Sequence, residues 1–219
     1  LYPKDFVASL KAKNIKWFAK ATTVSEAVLA EEAGADVIVA QGMEAGGHKG
    51  AFNAVDADKN MIGLFSLLPA VSNAVEVPVV ASGGIGDARG VAAALILGAS
   101  AVEIGTGFLR SPEAKIPNAW ADAIGAAEPE DTLVSRVFSG RLGRSIRTRY
   151  ALAATSRESP KPAPYPIQRN LTKSMRDYAV ASNDLDGMQA WAGQSAKLAS
   201  SISAEQIVIN LWNGAQKLL

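Results

Sequence analysis

Short apolar runs alternate with helix-like stretches through the first half of the chain. Residues 15–20 (Ile-Lys-Trp-Phe-Ala-Lys) predict a strand. Thr22-Thr-Val-Ser-Glu26 then supplies a helix start, with Thr23 or Ser25 as cap and Glu26 in the first turn. Residues 27–33 continue as helix, and Gly34 is suited to end it. Residues 36–40 predict a second strand, followed by the loop Gln41-Gly-Met-Glu-Ala-Gly-Gly-His-Lys-Gly50. Residues 63–74 predict a helix with Pro69 near its middle, where a proline opposes a straight helix. Residues 77–81 predict a third strand, Asp87 caps a helix over 88–97 that ends at Gly98, and residues 101–104 predict a fourth strand. Strands alternating with helices indicate βαβ units and a parallel sheet.

After Leu109 the pattern changes. Residues 111–124 predict a helix with Pro112 in its first turn. Residues 133–139 predict a strand or an extended crossing, and the proline-rich run 159–166 predicts a surface loop. Residues 188–200 and 204–218 predict two helices. This part reads as an added, mainly helical layer on the α/β unit.

The 219 residues carry a formal net charge of +1, no cysteine and one histidine. Disulfides, zinc–thiolate centres, cysteine nucleophiles and polyhistidine metal sites are therefore excluded. The charge gives no reason to expect nucleic acid or an anionic membrane. No apolar run reaches membrane-spanning length and Leu1-Tyr-Pro-Lys-Asp5 lacks a signal-peptide pattern, so a cytoplasmic protein is expected.

The candidate chemistry lies in three loops. His48 is a titratable imidazole on a glycine-rich loop after a strand, where an α/β enzyme keeps a catalytic base. The alternative is a loop histidine bonded to a backbone carbonyl. Ser82-Gly-Gly-Ile-Gly86 and Gly105-Thr-Gly107 also follow strands and offer backbone N–H groups to a phosphate. Each could instead simply end its strand. Together, one βα unit apart, they match the phosphate-binding loops after strands 7 and 8 of a (β/α)8 barrel. Neither is a Walker or Rossmann motif.

The run Gln41 to Gly50 with its Glu44-Ala-Gly-Gly-His48, Pro78-Val-Val-Ala-Ser-Gly-Gly-Ile85, Glu103-Ile-Gly-Thr106 with Phe108-Leu, Phe138-Ser-Gly-Arg141, Tyr165-Pro-Ile-Gln168 and Trp191-Ala-Gly-Gln194 occur in one order along the chain. In these strings the sequence resembles the nitronate monooxygenases, formerly 2-nitropropane dioxygenases. The resemblance implies an FMN-dependent TIM barrel that oxidises alkyl nitronates, such as propionate 3-nitronate, or nitroalkanes, with molecular oxygen. It implies that residues 1–110 are the C-terminal half of that barrel, strands 5–8, and 111–219 a helical substrate-domain segment and barrel-covering helices. An N-terminal barrel half, in the same polypeptide or from a homo-oligomeric partner, is then expected.

The resemblance makes His48 the catalytic base and substrate positioner. Gln41, Gly46, Gly83, Gly84, Gly105 and Thr106 become cofactor contacts, with Lys20 stabilising charge on the reduced flavin. Lys20 is otherwise a solvated strand-end lysine. Glu44 and Lys49 read as structural or solvent-facing, and Trp191 and Gln194 as packing residues outside the site. Two rival readings remain: a flavin-dependent enoyl-acyl-carrier-protein reductase with a similar Gly-Gly-His loop, and a non-catalytic flavin- or phosphate-binding barrel fragment.

Overall fold

A computed structural model describes residues 1–219. The α/β pattern is present. Strands β1 (Phe18–Ala21), β2 (Val37–Gln41), β4 (Val79–Ser82) and β5 (Ala101–Glu103) form one parallel sheet in the order β1-β2-β4-β5. β1 alternates, with Ala19 and Ala21 buried and Phe18 and Lys20 exposed, as befits an edge strand. β4 is buried at every position and β2 at all but its first, because both are central and covered on both faces.

Helices α2 (Val24–Glu32), α3 (Leu64–Ser72) and α4 (Ala88–Ile96) make the crossovers. Their starts follow the cap chemistry. The Thr23 hydroxyl accepts from Glu26 N, and the Asp87 carboxylate accepts from Arg89 N and Gly90 N. Pro69 lies inside α3, yet the helix runs on to Ser72, with Leu67, Leu68 and Val71 buried against the sheet. The core is built from small residues: Ala19, Ala21, Ala27, Ala30, Ala40 and Ala81 surround Ile38, Leu67 and Leu68. The last helix, α9 (Ala204–Gln216), packs on α4, where Gly214 lets the two backbones come close to Ala88.

The C-terminal part differs from the sequence expectation in two places. Residues 111–124 are not one helix. A 3-10 turn at Pro112–Ala114 ends at Lys115 in the left-handed region (φ 51°), and α5 (Asn118–Ala126) starts afresh. Pro117 explains the restart, since the residue before a proline is pushed out of helical geometry. Residues 188–200 are not a helix either. They form an extended stretch, preceded by a 3-10 turn at Leu185–Gly187 and containing another at Ala196–Leu198. Here the backbone bonds to other segments: Ile146 N donates to Ala190 O, and Gln194 N donates to Glu44 O. Residues 133–139 begin as strand β6 (Thr132–Ser135), which pairs with β7 (Gly143–Ile146). β7 also pairs with the two-residue strand β3 (Gly47–His48), giving a second, antiparallel sheet in the order β3-β7-β6. Helices α1 (Lys4–Ala12), α6 (Arg149–Ala154), α7 (Ile167–Leu171) and α8 (Lys173–Ala181) complete the fold. No helix is long and apolar enough to cross a membrane.

Candidate active site

The parallel strands all point their C-terminal ends at one cleft. Lys20 near the end of β1, Gln41 closing β2, Ser82 closing β4 and Glu103 closing β5 line it side by side. The loops that follow complete the wall with Ala45 and Gly46, Gly83 to Ile85, and Gly105 and Thr106, while Gly193 and Ser195 close it from the C-terminal part. Ligands of α/β proteins bind in this position, at the carboxyl ends of the strands. All seven residues expected to contact a cofactor border this one cleft.

The cleft is rich in unspent main-chain donors. The N–H groups of Gly46, Gly83, Gly84, Ile85 and Gly105 donate to no acceptor in the protein. Gly83 (φ +104°) and Gly84 (φ +71°) hold a conformation that side chains resist, and a Cβ on Gly83 would stand 2.9 Å from Ala45 N. A Cβ on Gly46 would meet Gly193 N at 2.6 Å, so glycine is required for the two loops to touch. Thr106 Oγ1 accepts from Gly193 N at 2.9 Å and ties the same loops together.

Two charged side chains line the cleft, and they pair. Lys20 Nζ lies 2.5 Å from Glu103 Oε1, and Ser82 Oγ donates to the same oxygen at 3.3 Å. Glu103 is thus bonded at the cleft wall and not left as a free carboxylate. Gln41 is 4% exposed, and its amide clamps the histidine loop: Nε2 donates to His48 O at 3.2 Å and Oε1 accepts from Gly50 N at 2.7 Å.

His48 stands next to this cleft without lining it. Its Nε2 is 2.7 Å from the hydroxyl of Ser139, a residue only 1% exposed. Ser139 Oγ also accepts from Arg141 N and reaches Arg141 O. The rings of Trp191 and Tyr165 flank the imidazole edge-on, with centroids 5.0 and 6.0 Å away. Burial, and then the Arg141 and Arg169 cations, push the His48 pKa below its ordinary value. That lowering favours the uncharged ring at neutral pH.

Ser139, Tyr165 and Trp191 are the parts of this arrangement that were not picked out as site residues. Each lies in a string quoted above, but distance along the chain hid their approach to His48. Lys49 is neither loose nor solvent-facing. It is 3% exposed and donates to Met43 O and Ala45 O at 2.8 and 2.9 Å.

The family model for nitronate monooxygenase matches residues 1–214. A probable nitronate monooxygenase of Staphylococcus aureus (strain Newman) is 40% identical over 216 residues, which are 99% of this chain and 61% of that protein. The chain therefore spans about three-fifths of the length of the curated relatives it matches. Among solved structures, nitroalkane oxidase from Streptomyces ansochromogenes superposes with a TM-score of 0.92 at 36% identity, over 99% of this chain and 62% of that one. FabK from Thermotoga maritima superposes with a TM-score of 0.81 at 32% identity, over 99% of this chain and 66% of that one. With its strand-end cleft, its glycine loops and a family match from residue 1 to 214, the chain belongs to the nitronate monooxygenase family.

Proposed function

We propose that this chain carries the cofactor- and substrate-binding part of an enzyme that oxidises alkyl nitronates or nitroalkanes with molecular oxygen, using FMN. The observation that carries this reading is the strand-end cleft: five main-chain N–H groups with no protein acceptor, set in glycine loops beside a neutral, held imidazole. These donors suit a phosphate, and the open space at Gly105, where a Cβ would meet nothing within 4 Å, leaves room for one. Gly83, Gly84, Gly105 and Thr106 would hold the FMN phosphate. Gly46 and Gln41 would lie along the ring system, and Lys20 would balance charge on it, relayed with Glu103.

FMN, when bound, supplies the electron-accepting and oxygen-reactive chemistry. The protein residues orient the substrate and handle the proton. A Ser139 hydroxyl that donates to Arg141 O accepts from His48 Nε2–H, which leaves the basic lone pair on Nδ1. His48 in that tautomer takes the acidic proton of a neutral nitroalkane onto Nδ1, and the Nδ1–H so formed then donates to the nitronate left behind. Trp191 and Tyr165 wall the imidazole and limit water around it. The four parallel strands are read as half of a (β/α)8 barrel, residues 1–110, with 111–219 as the substrate-domain segment. Its remaining strands would come from further residues of the polypeptide or from a partner. Cytoplasmic placement follows as part of the same proposal.

Titration of the apo protein with FMN, followed by quenching of flavin fluorescence, tests the cofactor. Saturable binding that weakens in Gly83→Ala is the expected result. Unquenched fluorescence would remove FMN from the proposal, and a flavin reduced by NADPH would favour the enoyl reductase.

A further inference from the structure

The loop that carries His48 is held by two buried basic side chains. Lys49 is 3% exposed and Arg144, on β7, is 5% exposed. Neither spends an N–H on a carboxylate. Lys49 Nζ donates to Met43 O at 2.8 Å and to Ala45 O at 2.9 Å. Arg144 donates to the same Met43 O through Nε and Nη2, at 3.1 and 3.0 Å, and to Thr132 Oγ1 through Nη1. The carbonyl between them, Glu44 O, accepts from Gln194 N at 2.9 Å. Every carbonyl from residue 43 to 45 thus has a named donor.

A trans peptide unit is planar, with its C=O and N–H pointing in opposite directions. Fixing Ala45 O on the Lys49 amine therefore fixes the direction of the Gly46 N–H, away from Lys49. Gly46 lines the cleft, and its N–H has no acceptor in the protein. We propose that Lys49, backed by Arg144, is a positioning residue that aims the Gly46 N–H into the cofactor cleft and holds the turn that delivers His48. The cofactor part of this statement rests on the flavin reading above.

The turn needs two N–H donors from Lys49, and a neutral amine has two. Burial, and then the Arg144 cation, bring the Lys49 pKa down to about 7, with Glu44 opposing. Arg141, whose guanidinium donates to Lys49 O, and His48 are the other titratable groups against it.

Hydrogen exchange on the apo protein tests the clamp without any cofactor. In Lys49→Met, the amides of Met43 and Ala45 are expected to exchange roughly tenfold faster or more, the scale of one lost charge-assisted hydrogen bond. The amides inside β2 and β4 should keep their protection. FMN affinity should fall by a comparable factor. Unchanged exchange in the 42–46 turn would overturn the proposal. A wild-type protein that takes up no FMN, with a turn that still loosens in Lys49→Met, would fail the flavin reading and leave the clamp standing. If Lys49→Met does not fold, the wild-type protein decides by NMR. The Gly46 amide resonance should move as the Lys49 amine titrates, whereas a Gly46 resonance that stays still through that titration would overturn the proposal.

Discussion

His48 is kept neutral by its surroundings, and that fixes its pH behaviour. Its folded pKa lies below 6.5, the ordinary value. Catalysis that needs the free base should therefore be flat from about pH 6.5 upward and fall only as pH drops through the lowered pKa. A kcat profile that climbs between pH 7 and 9 would contradict this. His48→Asn should reduce turnover of a neutral nitroalkane by about 10²–10⁴-fold, the usual worth of a general base. Turnover of a preformed nitronate should suffer much less, because no proton has to be removed. Ser139→Ala removes the partner of Nε2 and should lower kcat roughly tenfold while FMN affinity stays constant. Lys49 gives a separate test at this scale. Its folded pKa of about 7 lies far below its unfolded one, so between pH 7 and 10 the unfolded chain binds the extra proton. Stability should rise with pH across that window, by at most about 1.4 kcal/mol per pH unit, as followed by denaturant midpoints. Lys49→Met should flatten the rise.

At the scale of elements, the glycine loop after β4 is where backbone geometry and binding meet. Gly83→Ala places a side chain at φ +104° and against Ala45 N, which should cost about 1–3 kcal/mol and distort the cleft wall. Asp87→Ala, one helix start away, removes a cap that accepts from Arg89 N at 3.0 Å and Gly90 N at 3.2 Å. It should cost about 1 kcal/mol and leave FMN binding nearly unchanged. Thermal or denaturant unfolding combined with FMN titration separates the two effects. These elements were legible in the sequence because apolar runs, caps and glycines agree locally. The antiparallel sheet was not. Gly143-Arg-Ser-Ile146 buries an arginine, whose partners Met43 O and Thr132 Oγ1 lie in other segments of the chain. The 188–200 segment misled for the same reason. Its composition suits a helix, but its backbone is claimed by β7 and by the 44–46 turn.

For the whole molecule, the recurring arrangement is a shared direction: four parallel strands bring residues at their C-terminal ends to one place, and the C-terminal part closes over it. The residues expected at a cofactor, Lys20, Gln41, Gly46, Gly83, Gly84, Gly105 and Thr106, share this cleft. The partners of His48 could not be read in the same way, because Ser139 lies 91 positions away and Trp191 comes from another segment again. The central claim is that this cleft holds FMN and that a nitronate, placed by His48, delivers electrons to it. The most direct measurement is the visible spectrum of the FMN-loaded protein mixed with a nitronate under anaerobic conditions. The account predicts bleaching of the oxidised flavin bands by the nitronate, slowed in His48→Asn for a neutral nitroalkane, and no bleaching by NADPH. Flavin bands that persist with nitronate and bleach only with a nicotinamide would contradict it.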